Sequence, residues 1–326
     1  MRRAGNEFVH KRSEATPVSA LRLEDRLTAT AALPDGVYKV VTGAGETGAA
    51  LVQHEGVDKL AFTGSTATGR KIGAAAGRSI TPVSLELGGK SPNVLFPSAN
   101  LDNAVNGVVK GIFAATGQTC LAGSRVFVHE SIYDSFLERF TSRAADIEIG
   151  YPLDRTTQMG PVAFREQWET VREYIELGER EGATVAYGGS QPEGLPGECF
   201  LQPTVLVDVD NGMQVAREEI FGPVASVIRF DDEDELIAQA NDTPYGLAAG
   251  VWTEDYRQAH RVAEQLDAGT VWVNEYRTVS HAAPFGGFKQ SGLGRENGVE
   301  ALEEYRQSKT VWFDLAGEVS DPFKMG

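Results

Sequence analysis

Two short runs hold the side chains that can do covalent chemistry: Leu85-Glu86-Leu87-Gly88-Gly89-Lys90 and Gly117-Gln118-Thr119-Cys120. Cys120 offers a thiol among small residues, where a substrate can approach. Glu86 offers a carboxylate just before two glycines, where a strand is expected to end. A nucleophile and a general base on separate loops is the division of labour that covalent catalysis needs. A thiol attacks only as thiolate, so Cys120 is expected where its pKa is lowered or where a base is near. Taken alone, a lone cysteine reads as an inert core residue and Glu86 as a solvated strand-end acid.

These side chains need elements to hold them, and the chain alternates strand and helix signals. Thr16 as N-cap and Pro17 at the first helical position predict a helix running towards Ala31. Pro34-Asp35-Gly36 predicts a turn, and Val37 to Val41 a strand. Glu46 to His54 reads as helix, Lys59 to Phe62 as strand, and Thr66 to Ala76 as helix. Beyond Ser91-Pro92 the pattern resumes, with helices near residues 103–115 and 132–145 around a strand at Arg125 to Val128. Thr270 to Asn274 reads as a buried strand, Pro284 to Gly292 as a glycine-rich loop, and Gly188 to Glu198 as a surface loop. Such alternation predicts an α/β fold with a mostly parallel sheet covered on both faces.

Two strand-to-helix junctions compete for an anion. Gly43-Ala44-Gly45-Glu46-Thr47-Gly48 matches G-x-G-x-x-G literally, but the acid expected about twenty residues on is missing, and Asp58 comes early. The second junction, Phe62-Thr63-Gly64-Ser65-Thr66, offers a glycine for close approach, a hydroxyl and a helix N-terminus. Spacing does not choose between them.

Together Leu85 to Lys90 and Thr116 to Arg125 resemble the aldehyde dehydrogenase superfamily, and the likeness runs from about Ala4 to the C-terminus. The resemblance implies a Rossmann-like cofactor domain, truncated at its N-terminal side, plus an α/β catalytic domain. Residues 1–88 correspond to the remaining NAD-binding part and 89–290 to the catalytic domain. Residues 291–326 return to the cofactor domain and supply an oligomerisation strand at Thr310 to Asp314. It also implies oxidation of an aldehyde to an acid with NAD, through a thiohemiacetal and a thioester on Cys120. Water activated by Glu86 then hydrolyses the thioester, which favours hydrolysis over transfer to coenzyme A.

On the cofactor side, the likeness selects the second junction, so Gly64 and Ser65 meet the pyrophosphate while Gly45 is a weaker contact near the adenine end. Leu87 joins that side. Lys11-Arg12-Ser13-Glu14 resembles the family's K-P-S-E segment, with Arg12 in place of the proline, and makes Lys11 and Glu14 ribose ligands. Glu14 favours NAD over NADP, since a carboxylate repels a 2′-phosphate. Glu218-Glu219-Ile220-Phe221-Gly222-Pro223 resembles the segment at the nicotinamide end, with Glu219 on the ribose hydroxyls and Phe221 against the ring. Asn274 and Phe285 fall in segments that line the aldehyde site. Glu296 matches a position linked to proton relay, with a plain salt bridge as the alternative.

Composition narrows the remaining classes. The chain has 326 residues and a formal net charge of −16, which argues against a nucleic-acid partner. The acidic run Asp231 to Glu235 reads as a solvated helix start. No apolar stretch approaches the roughly eighteen residues of a membrane span, and no apolar segment follows Met1-Arg2-Arg3 to signal secretion. Two cysteines, Cys120 and Cys199, form no framework and suit a reducing cytoplasm. Five scattered histidines offer no metal-ligand spacing. The expected partners are a small-molecule aldehyde and further copies of the chain, as dimer or tetramer.

The chain begins near the K-P-S-E segment, so the family's earlier strands and the asparagine completing its oxyanion hole are expected to be missing. Loss of one such donor costs about 10²–10³ in turnover. Two other readings stay open: a cofactor-independent thiol esterase using Cys120 and Glu86, and a remnant subunit that binds nucleotide or co-assembles.

Overall fold

The computed structural model describes residues 5–30, 33–195, 197, 199–315, 317 and 321–324. Its centre is a seven-stranded sheet. This sheet takes β5 (Pro92–Leu95), β6 (Arg125–His129), β7 (Thr184–Tyr187), β8 (Thr204–Val207), β9 (Val224–Phe230), β10 (Ala248–Trp252) and β11 (Thr270–Val273), in the order β11-β10-β5-β6-β9-β8-β7. Every pair is parallel except β7 with β8. Strands β5, β8 and β10 are buried at every position, as expected for a parallel sheet covered on both faces. Side chains alternate between the faces, so Val94, Phe96 and Phe127 join one core while Leu95, Val126 and Val128 join the other.

Two smaller sheets precede it in sequence. β1 (Phe8–Lys11) and β2 (Tyr38–Val41) pair in parallel, with α1 (Val18–Ala29) between them. α2 (Gly45–Val52) leads to β3 (Leu60–Thr63), and α3 (Thr66–Ser79) leads to β4 (Val83–Glu86). β3 and β4 are parallel, and β12 (Gly292–Leu293) returns from far along the chain to pair antiparallel with β4. The late segment therefore rejoins the early one beside Glu86.

The large sheet is covered by α4 (Leu101–Ile112), α5 (Tyr133–Ala145), α6 (Arg165–Glu181), the short α7 (Gln214–Arg217), α8 (Glu233–Asn241) and α9 (Tyr256–Gln265); α10 (Glu300–Glu303) follows β12. In α4 the buried residues Ala104, Val105, Val108 and Ile112 recur at helical spacing, and Asn100 caps its start by accepting from the Asn103 N–H. Gly107 is required there, because a Cβ would fall 1.9 Å from the Trp252 ring.

The structure departs from the sequence expectations in two places. The helix expected to reach residue 115 ends at Ile112, because Ala115 and Thr116 adopt left-handed backbone. α1 starts at Val18 without a side-chain cap, so Thr16 does not cap it, and Ala31 lies outside the described residues. Residues 310–314 are exposed and carry no strand in the single chain; the strand expected there is one that pairs with a second copy. Pro196 and Glu198 of the expected surface loop, and Met1 to Ala4, lie outside the described residues. The acidic run does open a helix, α8, with Asp232 accepting from the Glu235 N–H.

Candidate active site

Glu86 is the last residue of β4, opposite Thr63 on β3 and Gly292 on β12. The turn after it is fixed by Ser291, whose Oγ donates to the Gly88 carbonyl at 2.7 Å and accepts from the Gly246 N–H at 2.9 Å. The Ser291 carbonyl accepts from the Leu87 N–H at 2.9 Å. Glu86 is only 5% exposed, and its Oε2 is buried without a hydrogen-bond partner. Burial, with Glu296 adding and Arg295 opposing, pushes its carboxyl up to about 8. The reading of Glu86 as a solvated acid is thereby overturned.

Cys120 follows a 3-10 turn at Ala114–Gly117 in which Ala115, Thr116 and Gly117 all take positive φ, from 54° to 68°. The turn lies backbone to backbone against its neighbours. A Cβ on Gly117 would meet the Gly222 carbonyl oxygen at 2.1 Å, and one on Gly89 would meet the Cys120 carbonyl oxygen at 2.4 Å. The thiol is half-buried, and burial raises it to about 11, with Glu219 and then Glu86 adding to the shift. Of the two expected settings, a lowered pKa is not found, because burial and the carboxylates of Glu219 and Glu86 raise the thiol; Glu86 is the base nearby.

Glu219 reaches the same centre from the segment after α7. Its Oε1 accepts from the Gly89 N–H at 3.2 Å, and its Oε2 occupies the space a Cβ on Gly88 would need, 2.2 Å away. Burial raises Glu219 to about 7, opposed by the Gly89 N–H and Lys90. Lys90 is 1% exposed; burial brings its ammonium down to about 7, with Arg125 acting the same way and Glu219 and Glu218 opposing. Thr119, Glu219, Phe221 and Gly222 line a small cleft beside the Cys120 turn. Phe221 is 39% exposed there and has positive φ.

Among the other expected site residues, Gly64, Ser65 and Leu87 share the Glu86 neighbourhood. The Gly64 N–H donates to the Glu86 carbonyl at 3.0 Å, Ser65 caps α3 by accepting from the Thr68 N–H, and Leu87 packs against Gly69 of α3. Gly45 is the exposed first residue of α2. Lys11 and Glu14 stand at the β1–β2 sheet and bond to each other at 3.4 Å. The Asn274 amide is spent on Thr253, accepting from its N–H at 3.1 Å and donating to its carbonyl at 2.8 Å. Phe285 and Glu296 exchange two backbone hydrogen bonds, which brings Glu296 into electrostatic range of Glu86.

Sequence reasoning passed over Ser291, Tyr276, Arg277 and the burial of Lys90. Ser291 and Lys90 lay inside quoted motifs, whereas Tyr276 and Arg277 carried no local signal. Among the described residues no group of His, Cys, Asp and Glu is arranged to hold a metal ion, and no helix is long and apolar enough to cross a membrane.

The aldehyde dehydrogenase family model matches residues 3–311. The chain belongs to the aldehyde dehydrogenase family. It is 50% identical over 321 residues to the betaine aldehyde dehydrogenase of Brucella anthropi, covering 98% of this chain and 66% of the relative. An NAD+ complex of the Bacillus cereus aldehyde dehydrogenase superposes with a TM-score of 0.91 at 46% identity, covering 95% of this chain and 62% of that one. A Staphylococcus aureus betaine aldehyde dehydrogenase, a point mutant in complex with NAD+ and with a BME-modified cysteine, gives 0.94 at 39%, covering 98% and 65%. The chain thus spans just under two thirds of the length of the family members it matches.

Proposed function

We propose that this chain oxidises an aldehyde to a carboxylic acid with NAD, using Cys120 as nucleophile and Glu86 as base. The observation that carries the reading is the convergence of Cys120 and Glu219 on the backbone of Gly88 and Gly89, directly after Glu86. Family membership supplies the reaction class, and the NAD+ complexes of relatives supply the cofactor.

The residues fit a dinucleotide. Glu219 presents a carboxylate suited to ribose hydroxyls, Ser65 and Gly64 open α3 towards a pyrophosphate, and exposed Phe221 offers a ring face. Leu87 supports α3 beneath that junction, and Gly45 offers a second helix start. Lys11 and Glu14 are assigned to the adenosine ribose, with Glu14 favouring NAD over NADP. When bound, the oxidised nicotinamide supplies a hydride acceptor and a positive charge beside the thiol.

Cys120, held near 11, needs its proton removed as it attacks the carbonyl. Glu86, near 8, can take a proton from that thiol or from the water that cleaves the thioester. Glu296 is assigned to pass the proton outward, and Phe285 and Asn274 to border the aldehyde. Residues 1–88 are assigned to cofactor binding, 89–290 to catalysis and 291–326 to the return strand and a homo-oligomer contact. The exposed side chains of Trp312 and Phe313 support that contact.

The test follows NADH from purified chain, NAD and an aldehyde panel, including the quaternary-ammonium aldehyde for which two of the relatives are named. Cys120→Ser should abolish NADH formation. Glu86→Gln should release about one equivalent and then stall at the thioester. NADH formation that survives Cys120→Ser would sink the assignment.

A further inference from the structure

The loop leaving β11 faces the nucleophile turn and carries a cation, Arg277, to the end of α4. Asn274 and Arg277 hold left-handed backbone at φ 52° and 68°, as do Ala115 and Thr116 in the opposing turn. The two segments are stitched together beside Cys120. Tyr276 Oη donates to the Leu121 carbonyl at 3.0 Å, and Arg277 Nη1 donates to the carbonyls of Ala114 at 3.0 Å and Lys110 at 3.3 Å. Tyr276 is fully buried, with its ring close against Gly111, Gly123 and Gly250, so Arg277 extends from a fixed neighbour.

Among the described residues no carboxylate pairs with Arg277, and the adjacent Glu275 is taken by Lys110 at 2.6 Å. Its two hydrogen bonds use Nη1 alone, so Nε and Nη2 remain as donors. The guanidinium is half-buried, and the Cys120 thiol is among the groups that act on it electrostatically. A guanidinium edge of this kind matches a carboxylate bidentately, and partial burial strengthens the attraction over that of a surface charge.

We infer that Arg277 is a specificity-determining residue, selecting aldehydes that carry a carboxylate at the end away from the carbonyl and disfavouring cationic ones. The inference rests on the assignment of Cys120 as the nucleophile of the proposed reaction. Arg277 anchors the far carboxylate while the carbonyl lies at the sulfur, and a quaternary-ammonium aldehyde meets like charge there.

The first arm of the test does not require turnover. Iodoacetate and iodoacetamide differ in charge, and with each the Cys120 thiolate displaces iodide to form a thioether. Mass spectrometry of the Cys120 peptide separates this reaction from that of Cys199. The iodoacetate-to-iodoacetamide rate ratio should fall about fivefold in Arg277→Gln, the effect of one nearby unit charge in a water-like dielectric. It should persist in Arg277→Lys. In the unmodified chain, raising salt should lower the ratio by screening a local cation, whereas the overall charge of −16 acting alone would make it rise. A ratio indifferent to substitution and to salt, or variants that slow both reagents equally, would overturn the inference.

The second arm measures kcat/KM for 4-oxobutanoate, butanal and betaine aldehyde. If butanal is oxidised but the 4-oxobutanoate-to-butanal ratio ignores Arg277→Gln, the inference fails and the dehydrogenase reading survives. If no aldehyde is oxidised while the alkylation ratio responds, the dehydrogenase reading fails and anion selection at Arg277 stands.

Discussion

Glu86 combines two demands that pull against each other: accepting a proton and lying almost wholly out of water. Its carboxyl has an ordinary value of 4.5 and is raised to about 8 in the fold. The protonated form is therefore favoured by folding, and its stabilising contribution is full below about pH 4.5 and lost as pH rises through about 8. Glu86→Gln removes that loss. The variant should melt above the parent by a margin that grows from about pH 5 to about pH 8, reaching on the order of a few kcal/mol. Thermal melts across that range check it, and a margin that shrinks with pH would contradict the burial argument. Thioester hydrolysis by the parent should rise over the same interval as Glu86 ionises. The identity of this residue was legible in Leu85 to Lys90; its burial was not, because β12 and Gly286, which close over it, lie some two hundred residues later in the sequence. The Cys120 thiol misled for a similar reason. Small neighbours in sequence suggested openness, while burial and two carboxylates brought in from elsewhere in the chain raise it.

At the scale of elements, local signals served well wherever a cap or a periodic face decided the outcome. Ser65 and Thr66 mark the start of α3, and the structure puts the Ser65 side chain on the Thr68 N–H. Ser65→Ala should cost about 1 kcal/mol in urea unfolding, and Ser65→Gly only a few tenths. Equal losses from both would mean that the hydroxyl does not cap. Helix α4 was expected too long because Ala115 is a good helix former by type. Packing of the nucleophile turn against Gly222 overrides that preference. Packing also makes Gly107 irreplaceable. Gly107→Ala pushes a methyl into the Trp252 ring and should destabilise by about 1–3 kcal/mol, although alanine is the better helix former. A neutral or stabilising result would show that the Trp252 ring has room to move.

For the whole molecule, the alternation of strands and helices announced a parallel α/β sheet, and the seven-stranded sheet fulfils it with one antiparallel pair at its edge. Strand order was not legible, because it is set by which faces bury against which helices rather than by any local run. Residues 310–314 show the other limit: Val311, Trp312 and Phe313 are exposed in the single chain, and the ladder expected there is one with a second copy. The β3–β4 sheet is tied to the late part of the chain through β12, so a nucleotide bound there should stabilise both together. At NAD concentrations of about 100 times Kd, the gain is about 2.7 kcal/mol. It should appear as a single upward shift in melting temperature, and an unchanged melt under saturating NAD would count against the cofactor assignment.

The glycine contacts around the site carry a consequence for anyone who recombines this chain with its relatives. Gly88 lies against the Glu219 carboxylate, Gly89 against the Cys120 carbonyl and Gly117 against the Gly222 carbonyl. Three sequence-distant segments thus share one seam, with backbone against backbone at two of its three contacts. Backbone offsets of even half an ångström between parents have nowhere to be absorbed. Chimeras should therefore inherit residues 86–90, 117–123 and 218–223 from a single parent, while crossovers in the surface loop after Tyr187 leave the seam untouched.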